Sequence, residues 1–147
     1  MFEETTTFDV VPAETTANAF DSVKVYSTFD ATDHTGKLAV FAAISDTEQL
    51  ADHLDEIFNL ENFVIQEVDY ADEDGVMQHG MRAVLLGTSD SGDKVAYAAL
   101  SDGITRSLKN IISIIGHPST WPTPVPVMAT EKRSRNGFRF MTLRLAL

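Results

Sequence analysis

Residues 125–147 read VPVMATEKRSRNGFRFMTLRLAL, the pattern of two strands joined by a basic turn. In the second strand Met141, Leu143 and Leu145 alternate with another set of side chains, because successive residues of a strand point to opposite faces. That other set consists of Phe138, Phe140, Thr142 and Arg144. One face of the strand is therefore expected to be core, and the opposite face carries two aromatic rings and an arginine.

The turn before this strand is rich in cations and ends in a strong hairpin signal. It contains Lys132, Arg133 and Arg135, followed by Asn136-Gly137. Asn-Gly favours a tight hairpin turn, since both residues tolerate positive φ. Aromatic rings beside cations suit single-stranded nucleic acid, because the rings stack unpaired bases and the cations bind phosphates. A plainer interpretation also holds at this stage, in which the rings pack under a helix or against a second subunit and the turn is a solvated hairpin tip.

The composition excludes several classes of protein. The 147 residues contain no cysteine, which excludes a disulfide framework, a thiolate metal site and a thiol nucleophile. No apolar run approaches the length of a membrane helix, and the first 20 residues lack the pattern of a signal peptide. We expect a soluble, intracellular protein with one compact domain.

The charges are divided unevenly along the chain. Residues 1–75 hold 18 acidic and 2 basic side chains, whereas residues 76–147 hold 4 acidic and 9 basic ones. The halves have net charges of −16 and +5, which together make the total of −11. Phosphate binding depends on local cations rather than on the total, so a basic binding surface is compatible with an acidic chain.

The order of elements after residue 62 predicts the fold. The pattern predicts strands at 63–70, 81–86 and 94–100, a helix at 101–115 and then the two strands described above. This is the element order of an OB-fold, a five-stranded Greek-key barrel whose face and loops often bind oligonucleotides, although an open α+β sheet has the same order. We expect a mainly β protein with an OB-fold-like five-stranded barrel.

The first 60 residues are expected to extend this barrel. Residues 1–21 have the composition of an acidic, extended arm, and residues 22–147 are expected to form a single OB-like domain with its barrel core at 62–147. Strands at 23–29 and 37–44 would form a β-hairpin. A helix at 45–58 would follow, since Ser45 and Glu48 have capping-box spacing and the apolar residues recur at helical intervals.

No pattern in the chain indicates catalysis or a cofactor. Asp69, Asp72 and Asp74 before Gly75 are an incomplete calcium loop, and the four histidines stand apart without zinc spacing. The chain has no P-loop, no dinucleotide fingerprint and no Gly-x-Ser-x-Gly elbow. We therefore expect a protein that is not an enzyme and that has neither a metal site nor a cofactor.

The candidate nucleic-acid-binding residues are cations and rings on the predicted barrel strands and loops. For Trp121, between prolines, a stacking platform and a plug for the open end of the barrel are equal alternatives. Tyr97 alternates with Val95 and Ala99, which favours core packing with its hydroxyl at the rim. The full set is Arg82, Lys94, Tyr97, Trp121, Lys132, Arg133, Arg135, Phe138, Arg139, Phe140 and Arg144.

Two stretches of the second half resemble the single-stranded DNA-binding proteins of small protein-primed tailed phages. These are residues 92–110 (GDKVAYAALSDGITRSLKN) and residues 130–145 (TEKRSRNGFRFMTLRL). The resemblance implies an OB-fold that coats single strands without sequence preference. It also implies aromatic and basic binding positions at Phe138, Phe140 and the turn from Lys132 to Arg135. The long acidic N-terminal part departs from the family pattern.

The sequence thus predicts a sequence-independent single-stranded DNA-binding protein that protects exposed strands during DNA replication or recombination. Single-stranded DNA or RNA, further copies of the chain and replication proteins are the expected partners, with no membrane. The expected location is the host-cell cytoplasm if the chain is phage-encoded. The alternative is a protein-interaction or assembly module that uses the Phe138 and Phe140 face, with an acidic N-terminal half.

Overall fold

A computed structural model describes residues 25–29 and 32–146. Two α-helices, two short 3-10 helices and seven strands make up this part of the chain. The helices are α1 (His34–Ser45) and α2 (Asp102–Ile115), and the 3-10 helices span Leu50–His53 and Pro118–Thr120. The strands are β1 (Val25–Ser27), β2 (Glu48–Gln49), β3 (Phe58–Ala71), β4 (Met77–Ser89), β5 (Lys94–Leu100), β6 (Val125–Arg133) and β7 (Arg139–Leu145).

The strands form one curled, mixed sheet that makes a half-barrel. Its order is β2-β5-β4-β3-β6-β7, and β1 pairs with β3 outside this path. Every pairing is antiparallel except that of β2 with β5. The mainly β, OB-like fold predicted from the element order is confirmed.

The three hairpin turns share one design. In each turn a backbone hydrogen bond closes a loop of three residues, and glycine is the last of the three, with positive φ at Gly75, Gly92 and Gly137. A type I turn followed by a residue in the left-handed region is a common way to close a three-residue hairpin, and glycine occupies that region without steric cost. The turn predicted at Asn136-Gly137 is therefore confirmed.

A β-bulge in β3 decides which side chains face the core. The register shifts between Leu60 and Asn62, so the even-numbered Phe58 and Leu60 and the odd-numbered Phe63 and Ile65 all pack in the same cluster. The extra residue at the bulge reverses the alternation, because side chains of a strand have a period of two. Gly87 lies opposite, where a side-chain carbon would collide with the Asn59 carbonyl oxygen.

The sheet has a helix on each face. The inner, concave face packs against α2, whose Ile104 and Leu108 are fully buried in the main core. The outer face holds a smaller cluster, in which Val40 of α1 packs on Val64 of β3 and Val84 of β4. The core thus lies between the curled sheet and α2, while α1 covers the back of β3, β4 and β5.

The helix α2 begins and ends where the sequence indicates. Its N-cap Ser101 accepts a hydrogen bond from the Ile104 N–H at 3.2 Å, and Gly116 ends it with φ at 100°. Its first turn lies directly against β7, because a Cβ atom at Gly103 would collide with the Met141 carbonyl oxygen. One turn later the Ser107 hydroxyl accepts a hydrogen bond from the Leu143 N–H at 3.1 Å.

The prediction of an N-terminal hairpin was wrong. Residues 37–44, predicted as a strand, lie in α1, and β1 pairs with β3 instead. Asp33 caps this helix by accepting a hydrogen bond from the Gly36 N–H at 2.8 Å. A short apolar run such as KLAVFAAI fits a helix as well as a strand, and here Val40 of the helix packs on Val64 and Val84 of the sheet.

The helix predicted at residues 45–58 was also wrong. Glu48 and Gln49 instead add to the edge of β5 opposite Tyr97 and Ala98, and Leu50 is fully buried. Asp55 has φ at 65°, which a continuous helix does not allow. Pairing with the sheet edge and burial of Leu50 outweigh the local helical pattern. The arm predicted for residues 1–21 lies outside the described residues.

We expect Gly103→Ala to destabilise the protein. The new methyl group would force α2 away from β7, and overpacking of this kind typically costs roughly 1–3 kcal/mol, even though alanine favours a helix. Urea unfolding would measure the loss as a lower transition midpoint. Ser113→Ala, at an exposed position of the same helix, is the control and should change the free energy of unfolding by less than about 0.5 kcal/mol. Equal midpoints for the two variants would contradict the prediction.

Candidate nucleic-acid interface

The strands β6 and β7 form a two-stranded ribbon that continues beyond the rest of the sheet. Only residues 125–127 of β6 pair with β3, whereas β6 and β7 pair along residues 127–133 and 139–145. Ser134 and Phe138 close the turn, since the Ser134 N–H donates to the Phe138 carbonyl oxygen at 2.8 Å. The Phe138 N–H donates to the Ser134 hydroxyl at 3.2 Å. We call residues 128–144 the basic ribbon.

The two faces of the basic ribbon differ in the way the alternation predicts. Met141 and Leu143 pack against the main core, whereas Leu145, expected on the same core face, is exposed. Phe140 lies opposite Lys132 on the other face, and Arg144 lies opposite Met128. Phe138 is 72% exposed and Phe140 is 37% exposed, and the Phe140 ring lies beside Gly103 in the first turn of α2. The ribbon therefore presents two accessible rings next to cations.

Most cations of the basic ribbon have no carboxylate partner. Arg139 lies 3.7 Å from the Glu131 carboxylate, and both side chains are largely in solvent. Among residues 25–29 and 32–146, no ion pair involves Lys132, Arg133, Arg135 or Arg144. Four cations are thus available to an anionic ligand without breaking an ion pair.

Two of the predicted cations lie away from the ribbon and already have partners. Arg82 on β4 is partly buried and donates to Gln66 at 3.1 Å and to Thr47 at 3.0 Å, and burial lowers the pKa of its guanidinium. Lys94 on β5 donates to Glu61 at 3.2 Å. The structure does not bring these two cations together with the ribbon residues.

The other two predicted rings pack inward. Tyr97 is 4% exposed and meets Phe58 edge-on at 5.1 Å between ring centroids. Trp121 is half-buried against the main core, and its indole N–H donates to the Gly116 carbonyl oxygen at 2.9 Å. Tyr97 therefore packs in the core as expected, and Trp121, which is partly exposed, packs against that core with its indole N–H already hydrogen-bonded.

The comparison with known protein families agrees with this geometry. A family model described as phage single-stranded DNA-binding protein, of the phi29 type, matches residues 20–146. The chain belongs to this family. No curated protein and no solved structure matches the chain. The family is one of non-enzymatic DNA-binding proteins, and membership supports single-stranded DNA binding.

In this chain, α2 holds the basic ribbon in place. The Ser107 hydroxyl accepts a hydrogen bond from the Leu143 N–H, which lies at the outer edge of β7 and has no neighbouring strand as a partner in the described sheet. The same hydroxyl donates to the Gly103 carbonyl oxygen at 2.9 Å. Sequence analysis did not single out Gly103 and Ser107. Two small residues four positions apart share one helix face, and that spacing is the signal that could have indicated a close approach of another backbone.

The acidic turn between β3 and β4 is held by its own hydrogen bonds. The Asp72 carboxylate accepts from the Val76 and Asp74 N–H groups and from Gln78, each at 2.9 Å. These bonds lower the pKa of Asp72, with the Val76 N–H as the largest cause. In the described part of the chain, no three acidic or histidine side chains form a group that could hold a metal ion. Within the same part, no helix is both long and apolar enough to cross a membrane.

A histidine links the segment before β3 to the edge of the sheet. His53 lies between Glu48, at 2.8 Å from Nε2, and Glu56, at 3.0 Å from Nδ1. Its ring stacks at 4.5 Å from Tyr97. The hydrogen bond to Glu56, followed by that to Glu48, raises the pKa of His53 above its ordinary value of 6.5.

We expect the stability of this protein to fall as the pH rises through the pKa of folded His53. Because the folded pKa is raised, the contribution of His53 is fully present below pH 6.5 and is lost above the folded value. Urea unfolding between about pH 5.5 and about pH 8.5 would measure this slope. His53→Gln should reduce the slope, and the remainder would come from His79, whose pKa is raised by Asp69 and Glu67.

The paired change Glu48→Gln with Glu56→Gln provides the control for this pH effect. It keeps the imidazole but removes both carboxylates, so the slope should fall as in His53→Gln. An unchanged slope in His53→Gln would contradict the prediction.

Proposed function

We propose that this chain binds single-stranded DNA without sequence preference through the basic ribbon, and so protects strands exposed during DNA replication or recombination. The observation that supports the proposal best is the pair of accessible rings, Phe138 and Phe140, beside four cations without carboxylate partners. Membership of a phage family of single-stranded DNA-binding proteins supports the same activity. Action in the host cytoplasm, together with replication proteins, belongs to the same proposal.

The rings suit unpaired bases of any sequence. Every base has a π-face, so stacking on Phe138 and Phe140 distinguishes poorly between bases. The two residues are two positions apart, which corresponds to about 7 Å along a strand. Each ring can therefore receive its own base. In a duplex the faces of the bases are already stacked on each other, so the same rings favour single strands.

The cations suit the phosphates that join these bases. Lys132 lies beside Phe140 on the outer face, and Arg144 lies further along the same face. Arg133 and Arg135 lie in the turn region of the ribbon. A phosphate chain that follows the rings would therefore pass cations along its whole path, without any base-specific contact.

The acidic turn between β3 and β4 does not oppose this binding, because it lies away from the basic ribbon. The acidic turn at residues 72–75 follows the end of β3, whereas the basic ribbon continues past the start of β3. The 14 residues of β3 separate the two along roughly 45 Å of strand. The Debye length is about 8 Å at physiological salt, so repulsion between the acidic turn and a bound phosphate is largely screened.

We expect Phe140→Ala and Phe138→Ala each to weaken binding to every single-stranded sequence. Loss of one stacking ring should reduce affinity by about 5- to 150-fold, which corresponds to roughly 1–3 kcal/mol. Fluorescence anisotropy of a labelled oligo-dT of roughly 30 nucleotides, about twice the largest site of a single OB-fold, measures this loss. Duplex DNA and oligo-rU serve as competitors and test strand type and the choice between DNA and RNA.

Phe41→Ala is the matched control for the ring variants. Phe41 is 67% exposed but lies on α1, away from the basic ribbon, so its loss should leave affinity unchanged. Equal effects of Phe41→Ala and Phe140→Ala would remove the ribbon from the proposal. The competing assembly module predicts no binding to oligonucleotides and a loss of self-association in Phe140→Ala, which light scattering would detect.

We expect the combined change Arg133→Gln and Arg135→Gln to flatten the salt dependence of binding. Removal of two phosphate contacts should reduce the slope of log affinity against log salt by about 1.4, since each contact to a single strand contributes about 0.7. Lys37→Gln on α1 is the control and should keep the parent slope. If the double variant keeps the salt slope of the unmodified chain, these arginines do not contact phosphates.

A further inference from the structure

An apolar groove runs between α2 and the concave face of the sheet, on the opposite side of the helix from β7. It has a volume of about 510 Å³. Six apolar or aromatic side chains line it, and Lys109 and Ser113 lie on its helical side. The six are Tyr26, Phe63, Ile65, Met81, Leu108 and Ile112.

The chemistry of this groove favours an apolar peptide rather than a nucleobase. Tyr26 and Phe63 contact each other with ring centroids 6.1 Å apart, and burial raises the pKa of Tyr26, so its hydroxyl stays neutral. The polar edges of a base would find few hydrogen-bond partners here, and burial of unpaired polar groups is costly. An apolar side chain would instead gain free energy by leaving water.

We propose that this groove is the docking site for the N-terminal segment of the same chain, residues 1–24, with Phe20 as its apolar anchor. Tyr26, which lines the groove, lies six residues after Phe20. Six residues span at most about 20–22 Å, so Phe20 is tethered close to the groove. The family match begins at residue 20, which places this residue within the matched part of the chain.

The charge of the segment suits the groove, and tethering favours the segment of the same chain over that of a second copy. Residues 1–24 carry five acidic side chains and one basic one, and the polar rim of the groove is provided by Lys109. A tethered segment binds at an effective concentration of about millimolar, whereas a second copy must also lose translational and rotational freedom. Docking within one chain is therefore favoured.

A single introduced cysteine can test this proposal, because the chain contains none. Ser113→Cys places a spin label at the exposed rim of the groove, and Ser91→Cys places the same label in the turn between β4 and β5. The readout is the loss of NMR signal intensity from the amides of residues 16–24 in the full chain. We expect a strong loss with the label at residue 113 and little loss with the label at residue 91.

Two further samples distinguish the alternatives. Phe20→Ser in the Ser113→Cys chain should restore the lost intensity, whereas Phe2→Ser should not, because Phe2 lies 18 positions further from the groove. A mixture of isotope-labelled unmodified chain with unlabelled, spin-labelled chain should show no loss. The proposal is overturned by equal signals from the two label positions, by a loss that persists in Phe20→Ser, or by a loss in the mixed sample, which would indicate a second copy.

Discussion

The close contact between the start of α2 and the backbone of β7 holds the half-barrel together. Gly103 lets the helix lie against the Met141 carbonyl, and Ser107 satisfies the N–H of Leu143. Within the described sheet β5 and β7 do not pair, so this helix takes the place of strand pairing at the edge of β7. The orientation of Phe140 follows from it, since residues 141 and 143 are committed to the core.

The incomplete barrel leaves two surfaces with different chemistry. On one side of α2 the basic ribbon leaves the sheet and presents rings and cations to solvent. On the other side an apolar groove lies between α2 and the sheet. A ligand with phosphates and flat bases suits the first surface, and an apolar peptide suits the second, because each surface satisfies only one of these chemistries.

The length of β3 separates the acidic turn at residues 72–75 from the cations of the basic ribbon. The acidic turn follows the C-terminal end of β3, whereas the basic ribbon continues beyond the N-terminal end of β3. A net charge of −11 therefore coexists with a locally basic ribbon. Salt screens the charges of the acidic turn over this distance. The charge of the ribbon itself therefore decides how strongly a bound strand is attracted.

The sequence alone determined the features that depend on neighbours along the chain. These include the ribbon alternation, the Asn136-Gly137 turn and the caps of α2 at Ser101 and Gly116, because strand period, turn geometry and capping are local. Only the tertiary structure decided that residues 37–44 are helical and that Glu48 and Gln49 pair with β5. It also decided that a bulge reverses the faces of β3 and that Arg82 is already hydrogen-bonded. Each of these depends on contacts between segments distant in sequence, and burial or edge pairing there outweighs local propensity.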